Sequence, residues 1–206
     1  MNEKPLPLFP LPLILFPGTL MPLHIFEERY RRMVADLQEG DGEFGILWHD
    51  PDEHGPFMNE RGRVGTVARI RRHQPLPDGR SLILVRGVER FSIVQEVQGE
   101  TPYYQARVKP YEDLPASNPE ALQERRTRAL ELFRTVLKGT PHAPEALPDF
   151  RVDEEISFKL AAAVRMDPFW QQELLESTDE VERLTRLTPV LQVGLERWWE
   201  EEGPQA

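Results

Sequence analysis

The feature that most constrains this chain is a change in hydrophobic period near Tyr111. Before it, apolar residues come in short runs or alternate with polar ones: Leu11 to Phe16, Phe44 to Trp48, Val64 to Ile70, Ser81 to Val85, Phe91 to Val97 and Tyr103 to Val108. Runs of this kind, bounded by turn residues, are the pattern of strands. After Tyr111 the apolar residues recur every three or four positions, as on the buried face of a helix. The chain is therefore predicted to be α+β. A β-rich subdomain over 1–112, an antiparallel barrel-like sheet, is followed by a helical bundle over 113–206, the two meeting near residues 110–118.

Local patterns refine this. In the β-rich half, Phe26, Tyr30, Met33, Val34 and Leu37 step at helical spacing, and Gly40 is placed to stop that helix. Asp78-Gly79, after Pro75-Leu76-Pro77, supplies the positive φ of a hairpin reversal. In the helical half, Ser117-Asn118-Pro119-Glu120 offers a cap and a first-turn proline for a helix striped by Leu122, Ala129, Phe133, Val136 and Leu137 and ending at Gly139. A proline-rich connector over 140–150 leads to a helix capped by Asp153, with Ile156, Leu160, Ala163 and Val164 inward; Asp167-Pro168 ends it and starts another. The last helix is predicted from near Thr178 with Val181, Leu184, Thr188, Leu191, Leu195 and Trp198 inward, kinked or split at Pro189.

Composition narrows the function. There are no cysteines, which removes disulfides, thiolate metal sites and cysteine nucleophiles and fits a reducing cytoplasm. The apolar stretch from Leu6 to Leu23 is broken by five prolines and has no basic leader, so neither a signal peptide nor a membrane span is predicted. The formal charge is −10, with 20 acidic against 11 basic residues over 111–206 and near balance before that. Such a surface repels nucleic-acid phosphate and anionic membranes at long range.

A long ordered pattern then carries a resemblance. Pro5-Leu6-Pro7-Leu8-Phe9-Pro10, Leu15-Phe16-Pro17-Gly18, Met21-Pro22-Leu23-His24-Ile25-Phe26-Glu27 and Arg29-Tyr30-Arg31-Arg32-Met33-Val34 resemble the opening of the Lon N-terminal, substrate-binding domain family. The likeness continues through Phe44-Gly45-Ile46, Gly65 to Ile70, Gly87-Val88-Glu89-Arg90-Phe91, Lys159 to Ala162, Gln172 to Glu176 and Val181 to Leu184. It implies a PUA-like β pseudobarrel followed by a small helical bundle, with Phe26 and Tyr30 anchoring the first helix on the sheet. It also implies a stand-alone, non-catalytic module that binds unfolded or hydrophobic polypeptides as an adaptor or holdase, alongside a separate protease or ATPase, with no cofactor. No Gly-Lys pair exists, hence no phosphate-cradling P-loop. Ser157 and Lys159, two apart on a helix, diverge and cannot form a serine–lysine dyad. A small-ligand or RNA-binding PUA-like module is the alternative reading.

Candidate site residues follow. Trp48, Phe57 and Met58, in predicted loops, and Tyr103 and Tyr104, at a strand start, would form a permissive peptide-binding surface if exposed together; packed inward they would be ordinary core. The loop His49-Asp50-Pro51-Asp52-Glu53-His54 gathers metal-ligand types, but a solvated connection explains it as well. Arg61, Arg63, Arg69, Arg71 and His73 share a predicted strand face that Arg80, Arg86 and Arg90 could extend; it would hold acidic ligands or pair with the acidic half. Of the adjacent Trp198 and Trp199, at most one faces the bundle, and the other could mark a partner contact.

Overall fold

A computed structural model describes residues 4–99, 101–138, 150–164 and 166–202. Six strands, β1 (Lys4–Leu11), β2 (Leu20–Ile25), β3 (Glu43–Trp48), β4 (Val64–Pro75), β5 (Ser81–Glu96) and β6 (Tyr104–Pro110), and six helices make an α+β chain. The helices are α1 (Glu28–Gln38), α2 (Pro51–His54), α3 (Pro119–Lys138), α4 (Ser157–Ala163), α5 (Pro168–Glu176) and α6 (Glu180–Glu202). Two compact units result: residues 1–112 with 166–176, and residues 113–165 with 177–206. The sequence reading placed α5 in the helical half. In the structure Gln172 Nε2 donates to the Val64 carbonyl at 3.1 Å, and Arg90 donates to the Leu175 carbonyl at 2.7 Å, which ties α5 to the sheet.

The strands join in the order β2-β5-β4-β3-β1-β6, and β5 pairs again with β6. The sheet is mixed, not antiparallel throughout: β1 and β3 run parallel, with β2 and α1 forming the crossover that a parallel pair requires. The first strand is the proline-studded Lys4–Leu11, where fixed φ values enforce extension, and not Leu11 to Phe16. Ser81 to Val85 and Phe91 to Val97, read as two strands, are halves of β5 and run through Gly87. The reversal at Asp78-Gly79 forms as expected, with Gly79 at φ 80° and its N–H on the Leu76 carbonyl.

Both faces of the central strands are buried. Leu8, Leu47, Val67 and Phe91 point into one cluster with Leu6, Ile93, Ala106 and Val108. Phe9, Ile46 and Ala68, one position along each strand, point into the other, which α1 closes with Tyr30, Met33, Val34 and Leu37. Continuous apolar runs are what a strand covered on both faces needs. Phe26 does not anchor α1: it precedes the helix and is 59% exposed, and Phe9 instead stacks on Tyr30 at 4.0 Å between ring centroids.

In the helical unit Asn118 caps α3, its Oδ1 accepting the Ala121 N–H at 3.1 Å. Ala129, Leu130 and Phe133 are the buried stripe; Leu137 and the connector over 140–149 lie outside the described residues or side chains. Helix α4 starts at Ser157, later than a cap at Asp153 would place it, and Ala163 is exposed. Asp153 instead pairs with Arg151 at 2.7 Å. Helix α6 runs through Pro189 as one element, with Leu184, Leu187 and Leu191 buried; the side chains of 194–202, including Trp198 and Trp199, are outside those described.

At the centre of this unit Arg183 is fully buried. Its guanidinium donates twice to Asp113, to Ser157 Oγ at 2.7 Å and to the Ser177 carbonyl at 2.8 Å, and it lies over the Phe158 ring. Ser157 is thereby held between Arg183 and Glu155, while Lys159 pairs with Glu154 at 3.6 Å.

Candidate functional site

The turn after β3 builds the site. Asp50 Oδ1 accepts the Asp52 N–H at 3.0 Å and Pro51 occupies the first helical position, so Asp50 to His54 forms the one-turn α2. Gly55 then takes φ 67° and turns the chain back. Arg63 fastens the returning segment, donating to the Trp48 carbonyl at 2.6 Å and the Met58 carbonyl at 3.0 Å, with its guanidinium 4.9 Å from the Phe57 ring centre. An arginine is suited to this because its forked donors satisfy two carbonyls at once.

These anchors assemble a run of rings. Trp48 meets His54 edge-on at 4.9 Å and Phe169 of α5 at 6.3 Å; His49 meets His54 at 5.6 Å and Phe57 at 5.2 Å; Phe57 meets Tyr104 at 4.7 Å. An open cleft of about 340 Å³ lies beside them, lined by Trp48, His49, His54, Pro56, Met58, Glu60, Arg63, Val64, Gln172 and Glu176. Met58 in the lining is 62% exposed, as is Phe169 against Trp48, so large soft apolar groups face solvent here. Of the five residues singled out in the sequence, Trp48 and Met58 line the cleft, while Phe57 and Tyr104 stack on each other and pack, half-buried, against the core cluster of Leu6, Leu8 and Phe91. Tyr103 lies apart: strand alternation turns it to the opposite face, where it is buried and donates to Asp36 Oδ2 at 3.0 Å. The sequence reading missed Gln172 and Glu176, which line the cleft, and Phe169, which meets Trp48, because α5 belongs to the sheet unit. The one available sign was an aromatic pair, Phe169-Trp170, directly after a helix-starting proline.

Burial pushes the His49 imidazole below its ordinary 6.5, and the positive charge of Arg63 adds to this; His54 acts the same way, and Asp50 opposes it. The folded state therefore prefers neutral His49. Its contribution is fully present above 6.5 and is lost as pH falls below that value, where the unfolded chain takes up the proton first. Wild-type protein is expected to lose more thermal stability between pH 7.5 and 5 than His49→Gln, measured as Tm against pH. Parallel curves for the two would refute the assignment.

Among the described residues no three metal-ligand side chains gather at a common point, and the polar groups of the 49–54 loop serve the α2 turn. The basic strand face is dispersed. Arg63 is spent on carbonyls, Arg69 pairs with Glu43 at 2.6 Å, Arg80 pairs with Asp78 at 2.6 Å, and Arg90 is buried against Leu175 and Tyr111. A bulge between Ile70 and Arg72 breaks the alternation that would have aligned them. No described helix is long and apolar enough to cross a membrane.

Comparison with known proteins agrees with this architecture. The chain is 29% identical over 193 residues to the Lon protease of Cytophaga hutchinsonii and 29% identical over 202 residues to that of Solibacter usitatus, covering 90% and 95% of this chain. It spans about a quarter of the length of those relatives (24% and 25%). Among solved structures, the fold matches a Lon N-terminal domain protein from Xanthomonas campestris (TM-score 0.62, 24% identity, 90% of this chain and 98% of that one). It also matches the N-terminal domain of the Mycobacterium avium complex Lon protease (TM-score 0.67, 17% identity, 92% and 98%). The family model for the ATP-dependent protease La (LON) substrate-binding domain matches residues 5–193, nearly the whole chain, and the chain belongs to that family.

Proposed function

We propose that this protein is a non-catalytic polypeptide-binding module whose cleft beside Trp48 receives unfolded or hydrophobic segments, as an adaptor or holdase. The observation that carries the reading is an open cleft lined by Trp48 and Met58, with Met58 exposed and the exposed Phe169 ring against Trp48. Flexible thioether and flat aromatic surfaces accept many side chains without demanding one shape. Glu60 and Glu176 at the mouth keep such a surface wet between clients. Family membership supports polypeptide as the ligand class. The return of β5 to β6 supports a PUA-like pseudobarrel as the scaffold. A separate protease or ATPase is the natural downstream partner, and the cytoplasm the natural compartment for a cysteine-free chain.

The non-catalytic reading rests on the substrate-binding family; Ser157 and Lys159 are each held by other partners. The test is suppression of light scattering by a chemically denatured client, together with anisotropy of a labelled apolar peptide. Wild-type protein is expected to bind and suppress. The Trp48, Phe57 and Met58 triple alanine variant is expected to lose about tenfold or more in affinity. A variant that folds and binds as wild type would overturn the reading, and selective binding of single-stranded RNA would replace it.

A further inference from the structure

Among the described residues, strand β2 is the terminal strand of the sheet and pairs with β5 alone. The direction of its backbone groups can be read from its start. Gly87 N–H donates to the Thr19 carbonyl at 2.9 Å, so residue 19 faces β5. In an antiparallel ladder alternate residues direct both their N–H and C=O to the same side. Met21, Leu23 and Ile25 therefore bond to β5, opposite Val85, Ile83 and Ser81, and Leu20, Pro22 and His24 turn their backbone groups to the open edge. Pro22 fits this: a mid-strand proline is tolerated where its missing donor points away from the ladder. The open edge thus offers two donors, at Leu20 and His24, and three acceptors, and among the described residues no backbone group answers them.

The side chains next to this edge form an exposed apolar and basic face. Residues opposite one another share a face, so the register places Leu20, Arg86 and Arg69 in one row, Pro22, Leu84 and Arg72 in the next, and His24, Leu82 and Gln74 in the third. This face lies opposite the core side that carries Leu23, Ile25, Ile83 and Val85. Leu20 is 60% exposed and Leu82 44%. Its charged members are Arg69, which pairs with Glu43, and Arg72 and Arg86, which are exposed; no carboxylate is among the nine.

We propose that β2 is a docking edge for an extended polypeptide segment that alternates apolar and acidic residues and adds as a further antiparallel strand. Neighbouring strands lie about 4.8 Å apart, so a residue of the added strand sits directly beside Leu20 or His24. A glutamate there reaches across Leu20 to the Arg86 guanidinium, while apolar residues cover Leu20 and Pro22. Backbone pairing supplies affinity and the arginine row supplies the preference for acid. This surface is independent of the cleft beside Trp48, and either can fail without the other.

The probe is a fluorescein-labelled heptapeptide of alternating glutamate and valine with blocked ends, titrated into the full chain and followed by anisotropy. Three controls accompany it: the lysine counterpart, a version N-methylated at alternate residues along one edge, and the chain carrying His24→Pro. That substitution removes an outward donor and leaves the β5 ladder intact. The expected result is binding weakened about tenfold or more by N-methylation and by His24→Pro, at unchanged Tm. Arg86→Glu is expected to shift the preference toward the lysine peptide. No binding, binding indifferent to N-methylation and to His24→Pro, or binding lost instead in Met58→Ala would each overturn the proposal.

Discussion

Replacing Arg183 by methionine is expected to lower the unfolding free energy of the helical unit by about 3 kcal/mol, the low end of the range for breaking a buried ion pair from one side, because Arg183 is buried but Asp113 keeps 30% of its side chain exposed. The guanidinium satisfies Asp113, Ser157 and the Ser177 carbonyl together. Methionine fills the volume but leaves Asp113 and Glu155 close together without their shared cation. Urea denaturation followed by far-UV circular dichroism measures the loss. Arg183→Lys restores the charge without the fork that meets Asp113 twice, so it should recover only part of it. If the methionine variant unfolds within 1 kcal/mol of wild type (~1 kcal/mol being the net value of an ordinary hydrogen bond), the buried network is not what holds this unit together.

Gly65→Ala should be comparably damaging in the sheet unit. A Cβ at Gly65 would stand 2.4 Å from the Ile46 carbonyl oxygen and 2.8 Å from Phe91 Cζ. The first neighbour is backbone in the β3–β4 ladder and cannot rotate away, so strands must separate; about 3 kcal/mol is expected, at the upper end for overpacked cores. Gly45→Ala is the comparison. There the closest atoms, 2.6 and 2.8 Å away, belong to the Phe91 and Leu8 side chains, which can repack, and the loss should be smaller. Equal losses at the two positions would show that side chains in this core yield no more readily than backbone does.

What the sequence disclosed was the short-range part. The period of α1, the Asn118 cap and the Asp78-Gly79 reversal each rest on residues within a turn of one another, and each forms. Strand β2 was harder to see, since Leu-Met-Pro-Leu-His-Ile lacks a clean alternation and carries a proline permitted only by its edge position. Grouping Tyr103 and Tyr104 as one surface overlooks that neighbours at a strand start point to opposite faces: Tyr103 is buried and bonded to Asp36, and Tyr104 packs against Phe57 on the other cluster. Distance along the chain hid the α5 side of the cleft. Helix α5 reads as one more short helix after Asp167-Pro168, and its bonds to Val64 and Arg90 place it in the sheet unit, where Phe169 meets Trp48. Pro189 does not split α6: it sits at an exposed position of the helix, as does Thr185 one turn before it.

The pairing of β1 with β6 also sets an order of events during synthesis. Lys4 to Leu8 meet Val108 to Tyr104, so β1 leaves the ribosome about a hundred residues ahead of the strand that closes that edge. Its other neighbour, β3, comes some forty residues later. Until then Leu6, Leu8 and Phe9, all buried in the finished fold, are open to solvent and to other nascent chains. Distant pairings of this kind place folding on the millisecond-to-second side of the range for small domains. The prolines at 5, 7 and 10 then act before the fold exists, because a segment rich in proline is a poor template for intermolecular strands while its own partner is still being made.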